Sequence, residues 1–222
     1  ASWGFGSVAD LKLGANRIRL LKHSPTTQAT NQNVHLRYPD GTTLNLPVTV
    51  KPVKPWVIHL VQHTHTDLGY TRPQTEILAD HLRYIDFALD YCDQTDHFPD
   101  DAKFRWTCEA AWPVQEYLRY RPKAQIDRLR QRIQEGRIEL TAMFANLSEL
   151  LDDRACAASL APIAEMRKHG LPVESAMQND VNGISWIYAD LLSEMGVRYL
   201  TMGEHGHRAL IPFDVPTAFW WE

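Results

Sequence analysis

Trp56-Val57-Ile58-His59-Leu60-Val61-Gln62 runs directly into His63-Thr64-His65-Thr66-Asp67-Leu68-Gly69-Tyr70. The first seven residues are rich in β-branched, aromatic and aliphatic side chains and read as a buried strand. In extended backbone, residues i, i+2 and i+4 share one face. His63, His65 and Asp67 are therefore expected to project together from the mouth of that strand. Imidazole nitrogen and carboxylate oxygen are ligands that suit a divalent ion such as zinc. Ten histidines are scattered through the chain, and a lone one is commonly structural or solvated. Two of them alternating with an aspartate, right after an apolar strand, predict a metal site on a scaffold edge.

Downstream of Trp56 the pattern alternates between strand and helix. A helix is predicted from about residue 72 to 93, with Leu78, Leu82, Ile85, Phe87 and Leu89 as its apolar set. Residues 104–108 read as a strand, and 113–135 as helix broken near Pro122 and stopped at Gly136. Residues 137–142 form the next predicted strand. Asp152 or Asp153 caps a helix expected to reach His169, with Gly170 ending it. A short strand over 175–178, a helix over 185–194 and a strand over 197–202 complete the series. Such alternation argues for a parallel α/β sheet or barrel. The polar residues His63 to Asp67, Glu109, Asn146, Asn179-Asp180 and His205 to His207 each follow a predicted strand. In βα folds, functional groups gather at the C-terminal ends of strands.

Residues 1–55 differ in character. Tyr38-Pro39-Asp40-Gly41-Thr42 lies between two short β-like runs and reads as a hairpin turn, and Lys51-Pro52-Val53-Lys54-Pro55 as a linker. Two domains are therefore expected: a β-rich appendage with linker over 1–55, and a βα domain over 56–222.

The 222 residues are 44% hydrophobic and 23% charged, with a formal net charge of -4. That balance permits a core. Without clustered Lys and Arg it argues against nucleic-acid binding, and no apolar run approaches the roughly 20 residues of a membrane span. Cys92, Cys108 and Cys156 are odd in number and widely spaced, so reduced and buried thiols are expected rather than a disulfide framework. Asn146-Leu147-Ser148 fits a glycosylation sequon but sits where a pocket is expected.

Met177-Gln178-Asn179-Asp180-Val181-Asn182-Gly183 places a second carboxylate just past a strand. An Asx turn or helix cap is one reading of it. Beside the first motif, Asp180 becomes a third ligand after His65 and Asp67, leaving room for substrate.

With both motifs in view, the chain resembles the family 38 glycoside hydrolases, the zinc-dependent α-mannosidases. His63-Thr-His65-Thr-Asp67-Leu-Gly69-Tyr70 is similar to that family's metal-binding signature, and Asn179-Asp180 and Val197 to Met202 fall where it carries its nucleophile loop and following strand. Phe219-Trp220-Trp221-Glu222 is similar to bacterial members. The resemblance implies a seven-stranded parallel β/α barrel, incomplete over this chain. It implies zinc held by His65, Asp67 and Asp180, with His63 a neighbour and Asp180 also the nucleophile of a retaining α-mannosidase. It also implies that a fourth, histidine ligand and the aspartate general acid come later in the family than Glu222. The rest of the polypeptide or another chain is then expected to complete the site, around an α-mannoside substrate.

Tyr70, Phe144 and Trp186 are expected to offer apolar faces to a sugar ring, as is Trp112, and Glu109 to bind sugar hydroxyls. With seven Trp and seven Phe in the chain, core packing competes with that reading. Two other functions fit the same residues. A metal-dependent amidohydrolase or phosphoesterase would use metal-bound hydroxide. A carbohydrate-binding remnant would bind metal without turnover.

Overall fold

The computed structural model describes residues 27–38, 40–52, 54–147, 150–207 and 218–220. Trp221 and Glu222 of the C-terminal aromatic run and Ser148 of the sequon lie outside the described residues. Two compact units emerge, Ala1–His59 and Leu60–Glu222.

In the first unit, β1 (Thr30–Arg37) pairs antiparallel with β2 (Thr43–Val50). The turn uses local chemistry. Gly41 takes φ +86°, and Asp40 accepts the Thr42 amide at 2.9 Å. This is the hairpin that Asp-Gly signals.

The second unit carries the helices α1 (Gln74–Gln94), α2 (Ala111–Tyr120), α3 (Lys123–Gln134), α4 (Asp153–Ser159), α5 (Ala161–Lys168) and α6 (Ile187–Glu194). Between them lie the strands β3 (Trp106–Cys108), β4 (Ile138–Leu140), β5 (Ser175–Val181) and β6 (Tyr199–Glu204). Pro122 separates α2 from α3, because a proline removes a helical donor and restricts the residue before it. Gly136, at φ +69°, and Gly170, at φ +72°, end α3 and the stretch after α5, where a side chain would be strained. The Asp152 carboxylate accepts the Ala155 amide at 2.8 Å and starts α4. The single helix expected over 152–169 is instead two, meeting at Leu160, with a proline in the first turn of α5.

The seven-stranded barrel, even as an incomplete one, is not what forms. The described residues make three two-stranded sheets, β1-β2, β3-β4 and β5-β6, and no closed barrel. The β3-β4 and β5-β6 pairs are parallel. Single parallel bridges, His63 to Thr107 and Thr141 to Ser175, lie at their margins. The physical reason is short pairing. β3 and β4 share only three residue pairs, too few for a continuous ladder of the usual five or six residues.

The stretch Trp56 to Gln62 corrects a second expectation. It forms no strand, and Trp56, Ile58 and Leu60 are 74%, 78% and 78% exposed. Its end is held by the Thr107 amide donating to the Gln62 carbonyl at 2.8 Å, and Lys54 Nζ lies 4.7 Å from the Trp56 ring centroid. An apolar run is buried only where a partner covers it, and periodicity does not supply the partner.

The core lies where helices cover the parallel pairs. Leu89, Val114, Tyr117, Leu129, Leu160, Ile163 and Met166 are fully shielded. The Tyr117 hydroxyl donates to Asp86 at 2.7 Å, and Arg121 clamps the other Asp86 oxygen. Cys92, Cys108 and Cys156 are free and buried, as composition suggests. Among the described residues no helix is long and apolar enough to cross a membrane.

Candidate metal and catalytic centre

The site assembles from three places: the 63–67 segment, the residue after β3, and the end of β5. His65, Asp67 and Asp180 each offer one ligand atom, and these atoms lie within 4.8 Å of one another. His65 Nε2 is 3.4 Å from Asp67 Oδ1 and 3.7 Å from Asp180 Oδ2. That nitrogen is buried and has no hydrogen-bond partner. A buried polar atom without a partner costs about 1–3 kcal/mol, so one aimed between two carboxylates fits a cation ligand. The donor set, one imidazole and two carboxylates, suits zinc.

Asp180 is not past the strand, as expected, but inside β5, at a register shift between Asn179 and Val181. Its φ is +56°, the sole positive value at a non-glycine among the described residues. Aspartate tolerates the left-handed region better than most residues, and such strain concentrates at functional sites. The irregularity leaves the Asp180 side chain half-exposed, with His205 Nε2 3.7 Å from its Oδ1. The two carboxylate oxygens thus face different histidines.

Glu109 follows β3, and its side chain is fully shielded. It accepts the Thr66 amide at 2.6 Å, His65 Nδ1 at 3.0 Å, Asn146 Nδ2 at 3.0 Å and Asn179 Nδ2 at 2.9 Å. His63 Nδ1 lies 3.4 Å from the same carboxylate, so His63 is directed at Glu109 and stands outside the His65, Asp67, Asp180 trio. Burial pushes the Glu109 carboxyl up, but hydrogen bonds from His65, Asn179 and Asn146 outweigh it and hold the group at about 2. The hydrogen bond to Glu109 raises His65 above the ordinary histidine value, against burial. Burial lowers neighbouring His81. Among the described residues, the ion-pair partners of Asp67, Glu109 and Asp180 are all histidines. Three carboxylates without a Lys or Arg partner leave negative charge for a cation to balance.

A depressed folded-state value means that Glu109 stabilises the fold fully above its ordinary value of 4.5, and that this stabilisation is lost as pH falls through about 2. Acid unfolding is therefore expected to include a decline over that window. In Glu109→Gln, which carries no titrating group there, the decline flattens; an identical acid profile would remove Glu109 as its source.

The sequence-predicted aromatics are placed differently. Tyr70 and Trp186 are 75% and 74% exposed, and Phe144 is half-buried. Sequence reading placed Asn146 and Asn179 after strands, in a sequon and in the nucleophile-loop segment, without assigning either a bond. Their bonds converge: Asn146 Oδ1 accepts the Asn179 amide at 3.0 Å. A Cβ at Gly203 would come within 2.9 Å of Asn179 Oδ1, so glycine on β6 leaves room for that amide. No local pattern marks His81, whose burial on α1 is its only signal.

The description "Glycosyl hydrolases family 38 N-terminal domain" matches residues 55–222. The chain belongs to glycosyl hydrolase family 38. Among solved structures, it is similar to an alpha-mannosidase from Enterococcus faecalis V583, at 18% identity and a TM-score of 0.53, over 64% of this chain and 16% of that one. A second Enterococcus faecalis structure, described as a protein in the Glycosyl Hydrolase Family 38, matches at 15% identity and a TM-score of 0.47, over 63% and 16%. A 4-alpha-glucanotransferase from Thermococcus litoralis matches at 14% identity and a TM-score of 0.44, over 63% and 21%. No curated protein sequence matches. The chain thus spans about a sixth of the length of the family 38 structures that it resembles.

Proposed function

We propose that this family 38 domain serves a retaining, zinc-assisted α-mannosidase, with Asp180 as nucleophile. The observation that carries the reading is His65 Nε2, buried, without a hydrogen bond among the described residues and flanked by the Asp67 and Asp180 carboxylates. His65, Asp67 and Asp180 would hold the metal. When bound, zinc supplies positive charge that holds adjacent sugar hydroxyls and favours a distorted ring.

The chain's own residues supply the nucleophile of the first step. A free Asp180 oxygen attacks the anomeric carbon, the bond to the aglycone oxygen breaks, and a glycosyl ester forms on the carboxylate. The strained backbone at Asp180 presents the side chain toward solvent, where a sugar reaches it. The departing oxygen needs a proton from an acid. Glu109 does not fill that role, because it is buried, ionised and engaged on both oxygens. The family resemblance assigns that acid, and a further metal ligand, to a later segment of a family 38 enzyme. Water then cleaves the ester and restores Asp180. Tyr70 and Trp186, both exposed, and half-buried Phe144 provide ring faces for sugar stacking.

The amidohydrolase or phosphoesterase alternative needs both histidines of the first motif on the metal and no ester. His63, directed at Glu109, weighs against it. The test is covalent. An α-mannoside analogue whose deglycosylation is slowed by ring fluorination, incubated with the whole polypeptide, is expected to leave one sugar ester on the peptide containing Asp180. Turnover without any labelled peptide would favour metal-bound hydroxide instead.

A further inference from the structure

Glu109 makes more contacts than a sugar-binding carboxylate would need, and all of them are internal. Its side chain has no exposed surface, which leaves no oxygen for a substrate hydroxyl. Four donors from three segments meet it: the Thr66 amide, His65 Nδ1, Asn146 Nδ2 and Asn179 Nδ2. Burying a carboxylate is costly unless it is paired and hydrogen-bonded, and charge-assisted bonds of this kind are about twice as strong as neutral ones.

An ionised carboxylate only accepts hydrogen bonds. The 3.0 Å contact with His65 Nδ1 therefore requires a hydrogen on Nδ1, and the longer 3.4 Å approach of Asn146 Nδ2 to that nitrogen is then no hydrogen bond. In the neutral ring that leaves the lone pair on Nε2, the atom that is buried, without a hydrogen-bond partner and turned to Asp67 and Asp180. Which nitrogen of an imidazole is free to ligate is set by the bond that the other one makes. The same carboxylate reaches the Asp180 turn. Asn179, the residue before Asp180, donates its side-chain amide to Glu109 and its backbone amide to Asn146, which itself donates to Glu109.

We propose that Glu109 is a positioning residue: it holds His65 as the Nδ1–H tautomer, so that Nε2 is a preformed ligand for a divalent cation, and through Asn146 and Asn179 it ties that ligand to the turn bearing Asp180. The proposal rests on the metal-site reading above. Glu109 touches neither sugar nor metal in this account; it acts through His65 and Asn179. Glutamine has the right size but is neutral. Its amide meets donors in either orientation: the Thr66 amide and Asn146 Nδ2 where Oε2 stood, or His65 Nδ1 and Asn179 Nδ2 where Oε1 stood.

The experiment has two readouts on the full 222-residue chain, neither of them turnover. The first is ¹⁵N NMR of the His65 ring without metal, at a pH above its titration. The expected result is hydrogen on Nδ1 in the wild type and a shift toward Nε2–H in Glu109→Gln. Hydrogen on Nε2 in the wild type overturns the proposal, and this holds whether or not the variant folds. The second is the zinc Kd by competition with a chromophoric chelator, with circular dichroism to establish that both proteins are folded. Glu109→Gln is expected to weaken zinc binding about 10- to 100-fold. A folded Glu109→Gln with the wild-type Kd and the wild-type tautomer overturns it. A wild-type chain that takes up no zinc, yet holds His65 as Nδ1–H, would sink the metal-site reading while supporting the positioning role of Glu109.

Discussion

Asp180→Asn is expected to lower kcat for an aryl α-mannoside by about 10⁴-fold or more, in a polypeptide spanning the family's full length, while leaving the fold intact. The activity falls because a neutral amide does not form the glycosyl ester. The fold survives for two reasons. The Asp180 side chain is half-exposed, so its charge contributes little by burial. Asparagine also tolerates the left-handed φ of +56° that this position demands. The control is the thermal midpoint, expected to stay near the wild-type value. Near-normal turnover in Asp180→Asn would make the nucleophile assignment wrong. A collapse of both activity and midpoint would instead make Asp180 structural.

The second large effect is on stability. Arg137 is 3% exposed at the start of β4. Its guanidinium donates to the Phe104 carbonyl at 2.6 Å, the Cys92 carbonyl at 3.1 Å, Thr95 Oγ1 at 2.7 Å and Asp96 at 2.9 Å. Arg132, also buried, grips Asp93, Asp96 and Glu135 beside it. This network fastens the end of α1 to the segment that enters β3, and β3 delivers Glu109. Arg137→Met keeps the aliphatic volume but removes the donors to the Phe104 carbonyl and Thr95 Oγ1, and leaves the Cys92 carbonyl to Thr95 alone. The expected loss is about 3 kcal/mol, since several hydrogen bonds made by one buried charged group are lost together. Urea unfolding measures it. A loss below about 1 kcal/mol, the range of exposed pairs, would show that solvent replaces those bonds.

What could be read in the sequence was what depends on neighbours a few residues away. Pro122 divides α2 from α3, Gly136 and Gly170 stop helical runs, Asp152 caps α4 and Asp-Gly turns the N-terminal hairpin, each through backbone chemistry written locally. The break at Leu160 was also written there, in Pro162, though the apolar pattern ran across it. Burial and closure were not legible. Trp56 to Gln62 has the composition of a core strand, yet what covers it is a property of the surrounding chain. The expected barrel failed for the same reason: alternating strands and helices do not specify how many residues each pair of strands shares.

The site divides in the same way. The alternation of His63, His65 and Asp67 and the carboxylate in the Asn179-Asp180 run pointed to the region where ligand atoms of His65, Asp67 and Asp180 lie within 4.8 Å of one another. The backbone conformation of Asp180 and its place within β5 came only with the structure. Glu109 was legible as a polar residue after a strand, but the positioning role proposed for it depends on full burial and on four distant donors, which spacing cannot reveal.

The most direct test of the central claim, that His65, Asp67 and Asp180 form a divalent-metal centre, is a zinc titration of the wild-type chain beside His65→Ala. About one zinc per wild-type chain, lost or weakened at least about 100-fold in a folded His65→Ala, is the expected result. No zinc in the wild type, or an unchanged stoichiometry and Kd in His65→Ala, would contradict it.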